Sequence, residues 1–252
     1  MSFFERVNVL GINIDATNIE EVIKRVDNKI IDNSKGYVTV TGVHGIMESQ
    51  RSQKVKEAHN KAWQSVPDGM PLVYIGKMFG HKKMWRCYGP AMMHDLLKHS
   101  ISKGYTHFLY GGKEGVAKKL KENLEEKFPG IKIVGTYTPP FRALNQEEKI
   151  YLVNRIDQLS PNFIWVGLST PKQELFMSEY IDLLNTNLMF GVGAAFDFHT
   201  GTITSAPKWM QVLALEWLYR LIQEPKRLWK RYLINNPLFL FNIILQLLKK
   251  KI

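Results

Sequence analysis

Apolar and polar positions follow two rhythms along this chain, and the switches between them mark out its elements. Short apolar or β-branched runs read as strands, and stretches with an apolar residue every third or fourth position read as helices. By these rules Arg6–Ile14 is a strand. A helix follows to about Ile31, opened by Thr17 with Glu20 three positions on as a capping box. Tyr37–Val43 is a β-branched strand, and a polar helix continues to about Ala62. Pro67-Asp68-Gly69 is a turn, and Pro71 is placed to start the next helix. Met84–Tyr88 reads as a short strand and Pro90–Ser102 as a helix. Strand Tyr105–Tyr110, a lysine-rich helix to Phe128 and strand Ile131–Tyr137 come next, then a proline-stiffened loop, Thr138–Arg142. A helix from Gln146 to Gln158, a strand Asn162–Leu168, a helix from Pro171 to about Leu184 and a strand Leu188–Val192 complete the series.

This alternation predicts an α/β fold, a Rossmann-like and mainly parallel sheet covered by helices. After Phe198 the pattern is helical only. The expected division is a catalytic domain over residues 1–205 and a helical, membrane-associating appendage over 206–252.

Charge sharpens that division. The formal net charge is +11, and Pro207–Ile252 holds nine Lys or Arg against two Glu. Trp209, Trp217 and Trp229 share this stretch, and the apolar run Leu238–Leu248 closes on Lys249, Lys250 and Lys251. Cations beside Trp and Leu on helices suit anionic headgroups over hydrocarbon. On the last helix Asn242, Gln246 and Lys249 or Lys250 line one side, a profile for an interface or for another subunit, so a homo-oligomer is also expected. The basic residues are interleaved with large aliphatics, which argues against a nucleic-acid partner. A single cysteine, Cys87, fits a reducing compartment. Asp15, Glu20 and Glu21 interrupt any signal peptide, and no stretch reaches the roughly 20 apolar residues of a membrane span. The expected location is cytoplasmic, peripheral on the inner face of the plasma membrane.

Candidate chemistry gathers at strand ends, where open α/β sheets bind ligands. Asp68, in its turn, is a candidate general base or a turn filler. Gly111 and Gly112 follow a strand and precede a helix, forming either a phosphate-binding turn or a plain tight one. Lys172 and Gln173 leave the first turn of a helix that Ser169 or Thr170 can cap, and suit sugar hydroxyls or phosphate. Thr41, with Thr39 and His44, ends another strand as a candidate substrate contact. Asp197-Phe198-His199 is only superficially like a metal pair. The chain lacks an Asp-x-Asp motif, so a leaving nucleotide diphosphate would be met by arginines and helix N-termini, with no metal or cofactor. Arg220, Arg227 and Arg231 are the candidates, or else form a solvated or lipid-facing stripe.

Several blocks together resemble the WecG/TagA/CpsF family of bacterial glycosyltransferases. They are Val40–Gly45, Pro67–Gly69, Tyr88–Pro90, Tyr110–Gly112, Gly167–Glu174, Gly191–Asp197 and Leu215–Arg220. The resemblance implies inverting, metal-independent transfer from a UDP-sugar to an undecaprenyl-diphosphate-linked saccharide. It also implies Asp68 as base, Thr41 and Gln173 as substrate contacts, and Arg220, Arg227 and one of Lys230 or Arg231 reaching the diphosphate. The Thr-Gly-Val-His-Gly stretch differs from the Thr-x-Asn form of the wall-teichoic-acid members, so capsule or exopolysaccharide synthesis is implied as readily. Docking on the bilayer is expected to bring Arg220 and Arg227 to the site. Two rival readings of the residues are a nucleotide-dependent oxidoreductase and a non-catalytic basic protein that binds membranes or RNA.

Overall fold

The continuous apolar runs become the middle of a parallel sheet in the computed structural model, which describes residues 5–249. The chain opens with β1 (Arg6–Val9), β2 (Ile12–Asp15), α1 (Ile19–Ile31), β3 (Gly36–Thr41), α2 (Val43–Arg51), α3 (Gln53–Lys61) and β4 (Gln64–Pro67). It continues with α4 (Met70–Met78), α5 (Gly89–Lys103), β5 (Thr106–Gly111), α6 (Val116–Lys127), β6 (Lys132–Tyr137), α7 (Gln146–Leu159) and β7 (Phe163–Gly167). Last come α8 (Lys172–Tyr180), β8 (Leu188–Gly191), α9 (Ala195–His199), α10 (Lys208–Val212), α11 (Glu216–Gln223) and α12 (Pro225–Lys249).

Strands β3 to β8 pair in the order β4-β3-β8-β7-β5-β6, and every pairing is parallel. A parallel sheet is covered on both faces, so its central strands are apolar on both sides. Leu109, Phe163, Trp165 and Phe190 pack with residues of α1, α5 and α6 on one face. Phe108, Tyr110, Ile164, Val166 and Met189 pack with residues of α7 and α8 on the other. The expected α/β architecture is present, with helices alone after β8.

The structure differs from the sequence reading at several points, each with a local cause. Arg6–Ile14 is not one strand but an antiparallel hairpin apart from the main sheet. Leu10 and Gly11 both have positive φ, 52° and 84°, as a two-residue hairpin turn requires. Asn18, not Thr17, caps α1, its side chain accepting from the Glu21 amide at 3.1 Å. The polar helix is broken at Ser52, whose extended backbone ends α2 and begins α3. Met84–Tyr88 forms no strand. It is tied instead by single bonds, Trp85 N–H to the Thr17 carbonyl (3.0 Å) and Cys87 N–H to the Pro67 carbonyl (2.7 Å).

The unforeseen strand is β4. Its sequence Gln-Ser-Val-Pro carries almost no apolar signal, yet all four residues are buried. Partners elsewhere answer its polar groups: the Ser65 amide donates to Asp15 at 2.8 Å, and Asp15 is held by Arg6 at 2.7 Å. Hairpin and sheet edge are thus joined through one buried carboxylate.

The hairpin also receives the end of the chain. Val7, Val9, Ile12 and Ile14 share a core with Ile46 and Met47 of α2, Leu72 and Ile75 of α4, and Phe239 and Ile243 of α12. Gln246 clamps the same place, accepting from the Leu10 amide and donating to the Asn8 carbonyl, both at 2.8 Å. So this polar side of the last helix meets the chain's own hairpin; Lys250 and Lys251 lie outside the described residues. Because Phe239 is 2% exposed, Phe239→Ala should cost about 3 kcal/mol. The expected readout is a lower urea midpoint with an unchanged slope.

Candidate active site

Strands β3, β4, β7 and β8 end together, and the loops beyond them enclose a small cavity of about 70 Å³. Asp68 follows β4 into it. Its amide donates to the Thr41 carbonyl (2.9 Å), and its own carbonyl accepts from Arg86 Nε (2.6 Å). The backbone is therefore pinned at both sides while the carboxylate is left to the cavity, with the Gly89 amide 3.4 Å from Oδ1. Burial pushes the Asp68 carboxyl above its ordinary range; Arg86 and Arg231 oppose the shift and Glu216 adds to it. Arg86 cannot fully compensate, because it is also paired with the half-buried Glu216 of α11.

Facing Asp68 are three arginines. Arg220 on α11 donates to Glu224 at 3.3 Å and lies 5.4 Å from the Phe198 ring centre. Arg227 on α12 grips the same Glu224 with two nitrogens, Nε at 2.8 Å. These bonds to Arg227 lower the Glu224 carboxyl below its usual value. Arg231, one turn on, makes no hydrogen bond or ion pair among the described residues, and its buried Nε has no partner. Burial, with Arg220 and Arg227 nearby, works against its charge. The cavity thus holds more positive charge than its own carboxylates balance, which favours an anionic ligand. Among the described residues, no three His, Cys, Asp or Glu side chains are grouped to hold a metal ion.

Opposite, Gln173 is 3% exposed and has a fixed amide. Its Nε2 donates to Glu174 Oε1 (3.0 Å) and to the Gly191 carbonyl (3.1 Å). Its Oε1 has no partner, and Gln173 lines the cavity. Glu174 is fully buried and its carboxyl is raised by that burial; Thr170 donates to it at 2.9 Å.

A base candidate and an arginine cluster in one cavity find their counterpart among known sequences: the Glycosyl transferase WecG/TagA/CpsF family matches residues 7–252. The chain belongs to this family. It is therefore a glycosyltransferase, and the oxidoreductase and adaptor readings fall away. The chain is 31% identical over 186 residues, 74% of its length and 70% of the relative's, to an N-acetylglucosaminyldiphosphoundecaprenol N-acetyl-beta-D-mannosaminyltransferase of Bacillus subtilis (strain 168). A protein of the same name from Bacillus spizizenii is 28% identical over 218 residues, 86% of this chain and 82% of that one.

Within this glycosyltransferase the structure gathers Asp68, Gln173, Arg220, Arg227 and Arg231 around one cavity. It puts others elsewhere. Thr41 is 1% exposed and its hydroxyl faces inward, to Thr39 Oγ1 (3.1 Å), Ser65 Oγ (2.9 Å) and His59 Nδ1 (3.2 Å). Lys172 is exposed and sits over the Phe141 ring at 3.9 Å. Gly111 and Gly112 do not line the cavity, and the Gly112 amide donates to the Gly167 carbonyl at 3.0 Å. A Cβ on Gly111 would come within 2.7 Å of that carbonyl oxygen, so close strand approach accounts for this glycine. His44 lines a neighbouring cleft and is held by Asn235 Nδ2 at 3.1 Å. Burial lowers its pKa to about 3, so the ring is neutral.

Arg86, Tyr88 and Glu216 escaped the sequence reading as functional groups. Arg86 stacks 4.2 Å from the Tyr88 ring centre, and the buried Tyr88 hydroxyl lies beside the Glu216 carboxylate. Tyr88 and Glu216 do lie inside recognisable blocks, but only the fold brings positions 86, 88 and 216 beside 68. Arg220 and Arg227 already line the cavity in the isolated chain, without a bilayer to deliver them.

Two outcomes follow from these placements. Thr41→Val should cost about 1–3 kcal/mol, since it strands the Ser65 hydroxyl and the His59 nitrogen. The KM for sugar donor should stay at the wild-type value, which steady-state kinetics would check. Arg231→Met should raise the thermal midpoint by removing an unpaired buried cation and should weaken binding of inorganic pyrophosphate. Calorimetry reads both.

Proposed function

We propose that this glycosyltransferase moves a hexose from a UDP-sugar to a hydroxyl of a saccharide carried on polyprenyl diphosphate. The acceptor class is supported by the relatives' names, which specify N-acetylglucosaminyldiphosphoundecaprenol. The observation that carries the chemistry is the Asp68 carboxylate opening into the same cavity as Arg220, Arg227 and Arg231.

The reaction is a single displacement. Asp68 takes the proton from the acceptor hydroxyl as its oxygen attacks the anomeric carbon. The bond from that carbon to the diphosphate breaks on the opposite side, inverting the centre. The leaving UDP carries the electron pair, and the arginines stabilise the charge that develops on it. Asp68 is the sole carboxylate among the described residues lining the cavity, which suits a mechanism with one base and no glycosyl-enzyme ester. Desolvation makes it a stronger base than a solvated aspartate.

Residues from 206 onward act as the surface that meets the cytoplasmic leaflet. The outward side of α12 supports this, with Leu233, Leu238, Phe241, Ile244 and Leu248 exposed. No described helix is long and apolar enough to cross a membrane, so attachment is peripheral.

Asp68→Asn should lower kcat by about 10²–10⁴-fold in a transfer assay with UDP-sugar and lipid-linked acceptor; full turnover would remove Asp68 as the base. The raised carboxyl also sets two pH signs. Activity should rise as pH passes a midpoint above the ordinary aspartate value. The fold favours the protonated form, so stability from this group is present at low pH and lost as pH rises through the raised value. At neutral pH Asp68→Asn should therefore melt no lower than wild type.

A further inference from the structure

Beside the Asp68 cavity lies a larger cleft of about 440 Å³, between α2, the β7–α8 loop and α12. Its volume falls in the range of sites for small organic ligands. Four cationic side chains line it, Arg51, Arg227, Lys230 and Arg231, against one carboxylate, Glu48. Glu48 is held by Arg51 at 2.6 Å and Arg227 by Glu224, whereas Lys230 and Arg231 have no carboxylate partner among the described residues.

The walls are fixed in advance. Arg51 Nη2 donates to Asn235 Oδ1 (2.6 Å), and Asn235 Nδ2 meets His44 Nδ1 (3.1 Å). The neutral imidazole accepts there and lies against the Thr170 backbone. One chain of contacts thus joins α2, α12 and the β7–α8 loop. Ser169, Thr170, Arg227 and Arg231 belong to the cleft and to the Asp68 cavity alike, so the two compartments adjoin. Ile234, on the cleft's lining, is 44% exposed, and Leu233 and Leu238 beside it on α12 are exposed as well.

We infer that this cleft is the acceptor subsite, in which Arg51 and Lys230 hold the diphosphate of the lipid-linked saccharide. The terminal sugar then reaches past Arg231 to Asp68, and the prenyl chain leaves over Ile234 toward the bilayer. Donor and acceptor diphosphates sit on opposite sides of Arg231, which has no carboxylate partner among the described residues. This inference rests on the transfer reaction proposed above, and it names the side chains that take the second substrate.

The test is a calorimetric titration of the full chain with a water-soluble, short-chain prenyl diphosphate bearing one N-acetylglucosamine. UDP and phosphatidylglycerol vesicles are titrated in parallel. Lys230→Ala and Arg51→Gln should each weaken the soluble probe by about tenfold or more, the value of a charge-assisted phosphate contact, and leave UDP affinity unchanged. Equal losses for UDP would make these residues part of the donor site and overturn the inference. Unchanged probe affinity would overturn it too, and weaker vesicle binding in that case would assign the cations to lipid headgroups. Should Arg51→Gln lower the melting midpoint, Lys230→Ala carries the test, since that side chain is exposed and forms no hydrogen bond or ion pair among the described residues. Turnover is scored separately: a wild-type chain that binds the probe yet transfers no sugar from any UDP-sugar would sink the proposed reaction and leave the cleft assignment standing.

Discussion

The structure turns on an electrostatic imbalance at one spot: a desolvated carboxylate and a guanidinium without an ion pair in the same small cavity. Neither Asp68 nor Arg231 forms an ion pair of its own among the described residues. Proteins tolerate such groups at a cost, and mostly where a ligand completes the arrangement. The surrounding bonds hold the imbalance in place. Arg86 ties the Asp68 carbonyl and Glu216, so the loop after β4 is bound to α11. Glu224 gathers Arg220 and Arg227, which crowds Arg231 from one side. Nearby pairings thus restrain every charged neighbour while the two central groups remain available.

The helices after β8 thereby form part of the cavity wall. The helical tail contributes all three arginines, and it is anchored at both ends. Glu216 fastens α11 at the cavity, and Phe239, Ile243 and Gln246 fasten α12 to the opening hairpin. A tail held in this way needs no large movement to bring its cations to the strand ends. The exposed apolar side of α12 remains for another surface.

Much of the sheet was legible in the sequence, because β5, β7 and β8 are buried on both faces and read as unbroken apolar runs. The helices that cover them were legible for the same reason. What stayed hidden was structure determined by distant partners. β4 has the composition of a loop and becomes a strand because Asp15 and Thr41 answer Ser65. Arg6–Ile14 alternates so regularly that its two-residue turn at Leu10-Gly11 is masked. At the cavity, Asp68 and Arg220 lie inside motif blocks, whereas Arg227 and Arg231 lie beyond them in the basic tail. Thr41 misled because a strand's side chains alternate: its neighbour Val40 faces the cavity, and Thr41 faces the buried polar cluster. Gly111 misled because two requirements select the same residue, room for a phosphate and room for another strand. Arg86 carried no local signal at all.

The locked amide of Gln173 carries a consequence for selectivity. Both of its hydrogens are used within the protein, and its carbonyl oxygen is enclosed with no hydrogen to answer it. A group that reached that oxygen would have to bring the missing hydrogen itself. A group that turned a bare C–H to the same point would leave the oxygen unanswered, at the cost of a buried unpaired acceptor.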